Sequence, residues 1–294
     1  MIGPEDETPR AATGAGFGDA VTFAFGDADQ RLYGSARLGL VPGEPALASG
    51  LVLLFHEGQP VVADATGGVE VGQAHWRQLD VGDLSTTIVE PLQAWTVAYD
   101  GDDAGFELRF EALGAPAEIG RDAIASSAAD LHGYEQLCRV RGTLRCEGRR
   151  WEIDCLGQRG HQWGAPDWER LDLARTVSLW REDGVGVTLA SVRPGGAGDH
   201  EAELTGGALI GEETALAIAD PRLSTTLDGE GRQRRAGLEL WITEDDDALP
   251  HRAAGEAVCG TTLDLGRLRL DAAFFHWQMD GRRGVGRYDV LRRT

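Results

Sequence analysis

The run Leu92-Gln-Ala-Trp-Thr-Val-Ala-Tyr99, Asp100-Gly-Asp-Asp103, Phe106-Glu-Leu-Arg-Phe-Glu-Ala112 decides the fold class. Phe106, Leu108 and Phe110 alternate with Glu107, Arg109 and Glu111. That period of two puts the apolar side chains on one face of a half-buried strand. The acidic, glycine-containing tip joins it to an apolar run, so the stretch reads as a hairpin. The habit recurs on both sides. Ala20–Phe25, Leu32–Leu40, Ser49–Phe55 and Pro60–Ala65 come before it, with turns at Asp27-Ala28-Asp29 and Glu57-Gly58-Gln59. After it come Tyr134–Arg141, Thr143–Cys146 and Arg150–Leu156, with turns at Gly142 and Glu147-Gly148. Thr176–Arg181 and Val185–Arg193 meet at Glu182-Asp183-Gly184. The series closes with Ala202–Ile210, Ala236–Thr243 (after a turn at Asp228-Gly229-Glu230-Gly231), Gly255–Thr262, Arg267–Trp277 and Gly284–Leu291. Few windows hold a helical period beyond two turns. The chain therefore reads as all-β, and a strand number of about 16 favours two packed units over one sheet.

Composition narrows the chemistry. The 294 residues carry 28 basic and 48 acidic side chains, a formal charge of −20. Every basic residue is Arg; there is no Lys and no Asn. This excludes a Schiff-base lysine, a Walker A loop and an Asn-linked glycan site. The strong negative charge argues against a nucleic-acid partner, which needs a basic stripe. No stretch of about 18 apolar residues is present, so no membrane span is expected. Met1 to Thr13 is polar and acidic, without a signal-peptide pattern, and the expected location is cytoplasmic. Cys138, Cys146, Cys155 and Cys259 form no Cys-x-x-Cys pair and read as buried, reduced thiols.

The usual catalytic motifs are missing. Gly14-x-Gly16-x-Gly18 follows no strand and opens no βαβ unit, so it is a flexible lead-in. His56-Glu57 is not part of a His-Glu-x-x-His, and no Gly-x-Ser-x-Gly elbow exists. The acidic run Glu244–Asp247 lacks the spacing of a calcium loop. No metal or cofactor is expected.

One segment stands apart. Trp151-Glu-Ile-Asp-Cys-Leu-Gly157-Gln-Arg159-Gly160-His161-Gln162-Trp163-Gly164-Ala-Pro166-Asp167-Trp168 begins as a strand and ends in a Gly/Pro-interrupted stretch. If extended, His161 and Trp163 share a face. A titratable ring against an indole suits proton handling beside a hydrophobic ligand. The alternative is plain packing at a domain seam, with Arg159 paired to Asp154 or Asp167.

Taken with Gly133-Tyr134-Glu135-Gln136 and Arg139-Val140-Arg141-Gly142-Thr143-Leu144, the motif Gly157-x-Arg159-x-His161-x-Trp163-Gly164 and Asp167-Trp168 resemble a superfamily. It is that of the two-domain lipocalin-like proteins grouped with hydroxyneurosporene synthase (carotenoid hydratase). Pro91-Leu92-x-x-Trp95 and Gly284-x-Gly286 add weaker support. Relatives include lipocalin-like pericyclases of the Diels–Alder type. In that superfamily the motif usually reads Gly-x-Arg-Asp-His-Ser-Trp-Gly, followed by Arg-Asp-Trp. Here Gly160 stands for the Asp and Gln162 for the Ser.

The resemblance implies two tandem lipocalin-like antiparallel β-barrel domains with few helices, expected at residues 1–166 and 167–294. It also implies an apolar cavity holding a hydrophobic small molecule. His161 and Trp163 carry over the pair implicated in adding water to an isoprenoid double bond. Such chemistry needs an acid with a raised pKa, for which Asp154, Asp167 and Glu182 are candidates. It also needs aromatic faces beside the developing positive charge. Arg159, Gln162, Trp163, Trp168, Trp180, His276 and Trp277 are the expected ligand contacts. The leading expectation is an enzyme that hydrates, cyclises or isomerises a double bond of a terpenoid, polyketide or steroid-like molecule, with His161 as acid/base. The alternative is a non-catalytic carrier. Oligomeric state stays open.

Overall fold

The computed structural model describes residues 2–72, 75–119, 129–197, 202–212, 214–243 and 249–294. The acidic run Glu244–Asp247 lies outside the described residues. Apart from a 3-10 turn at Pro4–Asp6, the described elements are strands. These are β1 (Gly18–Asp27), β2 (Leu32–Val41), β3 (Ala46–His56), β4 (Gln59–Val71), β5 (Gln78–Val81), β6 (Leu84–Glu90), β7 (Ala94–Asp100), β8 (Ala104–Ala112), β9 (Ala117–Ile119), β10 (Leu131–Cys146) and β11 (Arg149–Gly164). They continue with β12 (Leu171–Arg181), β13 (Gly186–Pro194), β14 (Leu204–Ile210), β15 (Ala215–Ala217), β16 (Asp220–Leu227), β17 (Gln233–Trp241), β18 (His251–Asp264), β19 (Leu268–Met279) and β20 (Arg282–Arg293). The fold is all-β, as the strand pattern predicts, and forms two lipocalin-like antiparallel barrel domains, as the resemblance implies.

The chain divides into two compact units, one of residues 1–116 and 133–165, the other of 117–132 and 166–294. In the first, the strands run in the order β4-β3-β2-β1-β11-β10-β8-β7-β6-β5. The curl brings β3 back onto β5 and β6: a side chain at Gly50 would touch Val81 and Leu84. Val21, Phe23 and Phe25 of β1, Trp95 and Val97 of β7, and Leu108 and Phe110 of β8 fill the interior. Phe23 meets Trp95 at 5.5 Å and Phe110 at 5.2 Å between ring centroids. In the second unit the order is β15-β14-β13-β12-β20-β19-β18-β17-β16. Its interior holds Val177, Leu179, Leu238, Phe275, Trp277, Met279 and Tyr288.

Turn chemistry sets the registers. Glu57-Gly58 (φ 52°, 81°), Glu147-Gly148 (51°, 72°) and Asp280-Gly281 (51°, 78°) each place two left-handed residues between paired strands. This is the two-residue hairpin whose twist matches that of the strands it joins. Two expectations are corrected. Gly142 is no turn, since Tyr134–Arg141 and Thr143–Cys146 belong to the single strand β10. Its φ of 150° and the Glu107 carbonyl oxygen, which any Cβ there would overlap, explain the glycine. The His161 motif does not dissolve into an irregular stretch either; β11 runs unbroken to Gly164.

Candidate functional site

Strand β11 lies between β1 and β10, and its register with β1 builds the site. Phe23 faces Arg159, Val21 faces His161 and Asp19 faces Trp163. Alternation turns Arg159, His161 and Trp163 to the interior and Gln158, Gly160 and Gln162 to the other face. His161 is 1% exposed. Its Nε2 lies 2.6 Å from Oδ1 of the fully buried Asp19. Its Nδ1 is buried and, among the described residues, has no hydrogen-bond partner. Around the imidazole stand Trp163, Tyr134 and Trp76, with ring centroids at 5.0, 5.7 and 5.8 Å. This is a carboxylate-oriented imidazole in an aromatic surround, with one ring nitrogen left without a hydrogen bond among the described residues. It can hold and release a proton at Nδ1 while Asp19 fixes the tautomer.

One repeat along the strand sits Arg159, also 1% exposed. It pairs with Glu7 at 2.7 Å and donates to Gln136 Oε1 at 2.6 Å. Gln136 in turn donates to the carbonyls of Leu92 and Gly114. Burial works against the guanidinium charge, but Glu7 and Tyr134 outweigh it and hold its pKa above the usual value. Burial likewise pushes the Tyr134 phenol up. Glu7 belongs to the segment before β1. It lies twelve residues before β1's inward Asp19, outside any strand pattern, so nothing in the sequence singled Glu7 out. Asp19 left a signal: it is a charge in phase with Val21, Phe23 and Phe25, but the predicted strand began one residue too late to include it.

The predicted residues fall into separate places. Arg159, His161 and Trp163 come together. Gln162 lies on the opposite face of β11, donating to Glu135 at 3.3 Å. Asp154 is on the surface, its carboxylate bound by Arg139 and Arg141, which hold its pKa down rather than up. Asp167 is exposed and caps the backbone N–H of Glu169 at 3.0 Å; Glu182 is exposed as well. Trp168 packs beside Ala129, Leu171 and Val192. Trp180 and Trp277 are buried in the second unit, the latter stacked on Phe275 at 5.4 Å, and His276 points outward.

The second unit has its own buried polar cluster, which the sequence reading did not find. Arg175 pairs with Glu203 and donates to Thr225 at 2.9 Å, and Thr225 contacts the Tyr288 hydroxyl at 2.6 Å. A surface groove of about 750 Å³ in that unit, lined by Arg222, Glu239, Arg252 and Asp280, contains none of the predicted residues. Among the described residues no His, Cys, Asp and Glu group has the geometry of a metal site, and the four cysteines are free.

A family model described as "Domain of unknown function (DUF7064)" matches residues 3–294. The chain belongs to the DUF7064 family. No curated protein matches this DUF7064 chain significantly in sequence. Solved structures do match its fold. A protein named AttH from Nitrosomonas europaea superposes with a TM-score of 0.69 at 11% identity, covering 94% of this chain and 91% of that one. CghA, crystallised with Sch210972, gives 0.69 at 10% identity over 95% and 89%. Kievitone hydratase from Nectria haematococca gives 0.61 at 11% over 94% and 88%. The resemblance drawn from the Gly157–Gly164 motif thus extends to the fold of the whole DUF7064 chain. No helix of the described residues is long and apolar enough to cross a membrane.

Proposed function

We propose that the protein is an enzyme that hydrates, cyclises or isomerises a double bond in a hydrophobic small molecule of terpenoid, polyketide or steroid-like type. His161 is its acid/base and Asp19 its positioning residue. The observation that carries this reading is the buried His161, held through Nε2 by Asp19, with its Nδ1 buried and without a hydrogen bond among the described residues and its ring set among Trp76, Tyr134 and Trp163. The fold it shares with a kievitone hydratase and with CghA supports it as analogy.

In a hydration, the Nδ1–H of a protonated His161 delivers its proton to one alkene carbon. The positive charge left on the other carbon is stabilised by the indole faces of Trp76 and Trp163, about 0.5–2 kcal/mol per contact. Water adds to that carbon and gives its surplus proton back to Nδ1, restoring the imidazolium. In an isomerisation the cation instead loses a neighbouring C–H proton to Nδ1. Asp19 keeps the Nε2–H bond throughout.

The test is a screen of isoprenoid alkenes for products of altered or one-water-heavier mass, with binding followed by quenching of the eight tryptophans. His161→Ala should abolish turnover and leave binding largely intact. Asp19→Asn should lower kcat by about 10²-fold or more with little change in KM. Binding by wild type and His161→Ala alike, with no turnover of any candidate, would leave a carrier.

A further inference from the structure

Of residues 2–16, only Glu7 is buried. The rest of the segment is half-buried or exposed, yet it sends one carboxylate into the first barrel. There Glu7 meets four donors, all supplied by the barrel: the Leu92 N–H at 2.8 Å, Trp95 Nε1 at 3.0 Å, the Tyr134 hydroxyl at 3.3 Å and Arg159 at 2.7 Å. Leu92 is held in the left-handed region (φ 57°) at the start of this cradle. Two further ties bind the segment, and both lead to the His161 site. The Arg10 N–H donates to Asp19 Oδ2 at 2.7 Å, and the Arg10 guanidinium lies 4.2 Å over the Trp163 ring. One strap therefore fills a four-donor anion site and also lies against Asp19 and Trp163, the two neighbours of the His161 ring.

We propose that this cradle is the anchoring site for the carboxylate of a hydrophobic ligand, and that Glu7 fills it as an internal surrogate which the ligand displaces. This rests on the reading of His161 as the reacting group, which it deepens by naming the substrate class. Arg159 cannot lose its charge at ordinary pH. Buried and unpaired it would be costly, so the strap leaves only in exchange for another anion. The exchange opens both halves of the site at once. Arg159 and His161 are two residues apart on one strand face, so the reacting double bond lies about 7 Å from the carboxylate.

Two measurements test this in the full-length protein. In Glu7→Ala, acetate should raise Tm above the value in equimolar chloride, and the rise should vanish in wild type and in the Glu7→Ala/Arg159→Met double variant. In wild type, geranate should accelerate tryptic cleavage after Arg10 at least several-fold, while the uncharged geraniol should not. Equal effects of acetate and chloride on Glu7→Ala overturn the cradle. Equal effects of geranate and geraniol on cleavage overturn the exchange, and they decide alone if Glu7→Ala does not fold. Because neither readout involves turnover, both should persist in His161→Ala. Rescue and displacement without any detectable reaction would sink the catalytic reading and leave the anion site standing.

Discussion

Gly160 takes the place where related motifs carry an acid, and the structure shows what occupies that acid's space. Any Cβ at position 160 would overlap the carboxylate of Glu135, a buried side chain reached by Gln158 and Gln162. Position 160 also faces away from His161, whose carboxylate partner is Asp19, across β1. Gly160→Asp should therefore destabilise the protein by about 1–3 kcal/mol through overpacking, with like-charge repulsion added. Glu135→Ala in the same chain should recover most of that loss. Denaturant unfolding of the two single variants and the double variant measures the coupling, and simple additivity would contradict the shared-space account. His161 and Trp163 were legible from the sequence because alternation alone puts them on one face. The carboxylate partners were not: Asp19 shows only as a charge in phase with an apolar strand and Glu7 not at all, and at 142 and 152 residues from the ring and guanidinium they serve no local pattern records the pairing.

Among the elements, the hairpins were the most readable parts, since a left-handed pair such as Glu57-Gly58 leaves its mark in the glycine. The first position still carries strain, because Glu is a poor fit to φ 52°. Its ion pair with Arg31 is between exposed side chains and contributes little. Glu57→Asn should thus stabilise the protein by roughly 0.5 kcal/mol, read as a higher urea midpoint at unchanged slope. A lower midpoint would mean the Arg31 pair outweighs the turn. Strand β10 was misread for the converse reason. A glycine in an extended run looks like a turn until the carbonyl of Glu107, on a neighbouring strand, is known to press against it. The long β11 was cut short by the same logic, as its Gly157 and Gly160 suggested a break where they permit close packing.

For the whole molecule, the absence of Lys has a measurable effect. Between pH 9 and 12 the only side chains left to titrate are four Tyr and four Cys. Burial, then Asp64, raises Tyr99 to about 12, and burial pushes Tyr134 up too; burial also lifts Cys138, Cys155 and Cys259 to about 12. Their folded values exceed the unfolded ones, so the stability they contribute is complete below about pH 9 and is lost as pH climbs toward 12. Tm should hold to about pH 9 and then fall, and Tyr99→Phe should flatten the fall above pH 10. An unchanged slope would show that Tyr99 is not the group responsible. The pairing of β1 with β11 carries a different consequence, one of timing. Gly18 must find Gly164, 146 residues later, so at about 5–20 residues per second β1 spends roughly 7–30 s of synthesis with that edge unpaired. During that interval the nascent first barrel offers an open, apolar strand edge to any neighbour, and Glu7 has no Arg159 to meet. A holding chaperone would have its greatest effect on yield in this window, before β11 has been made.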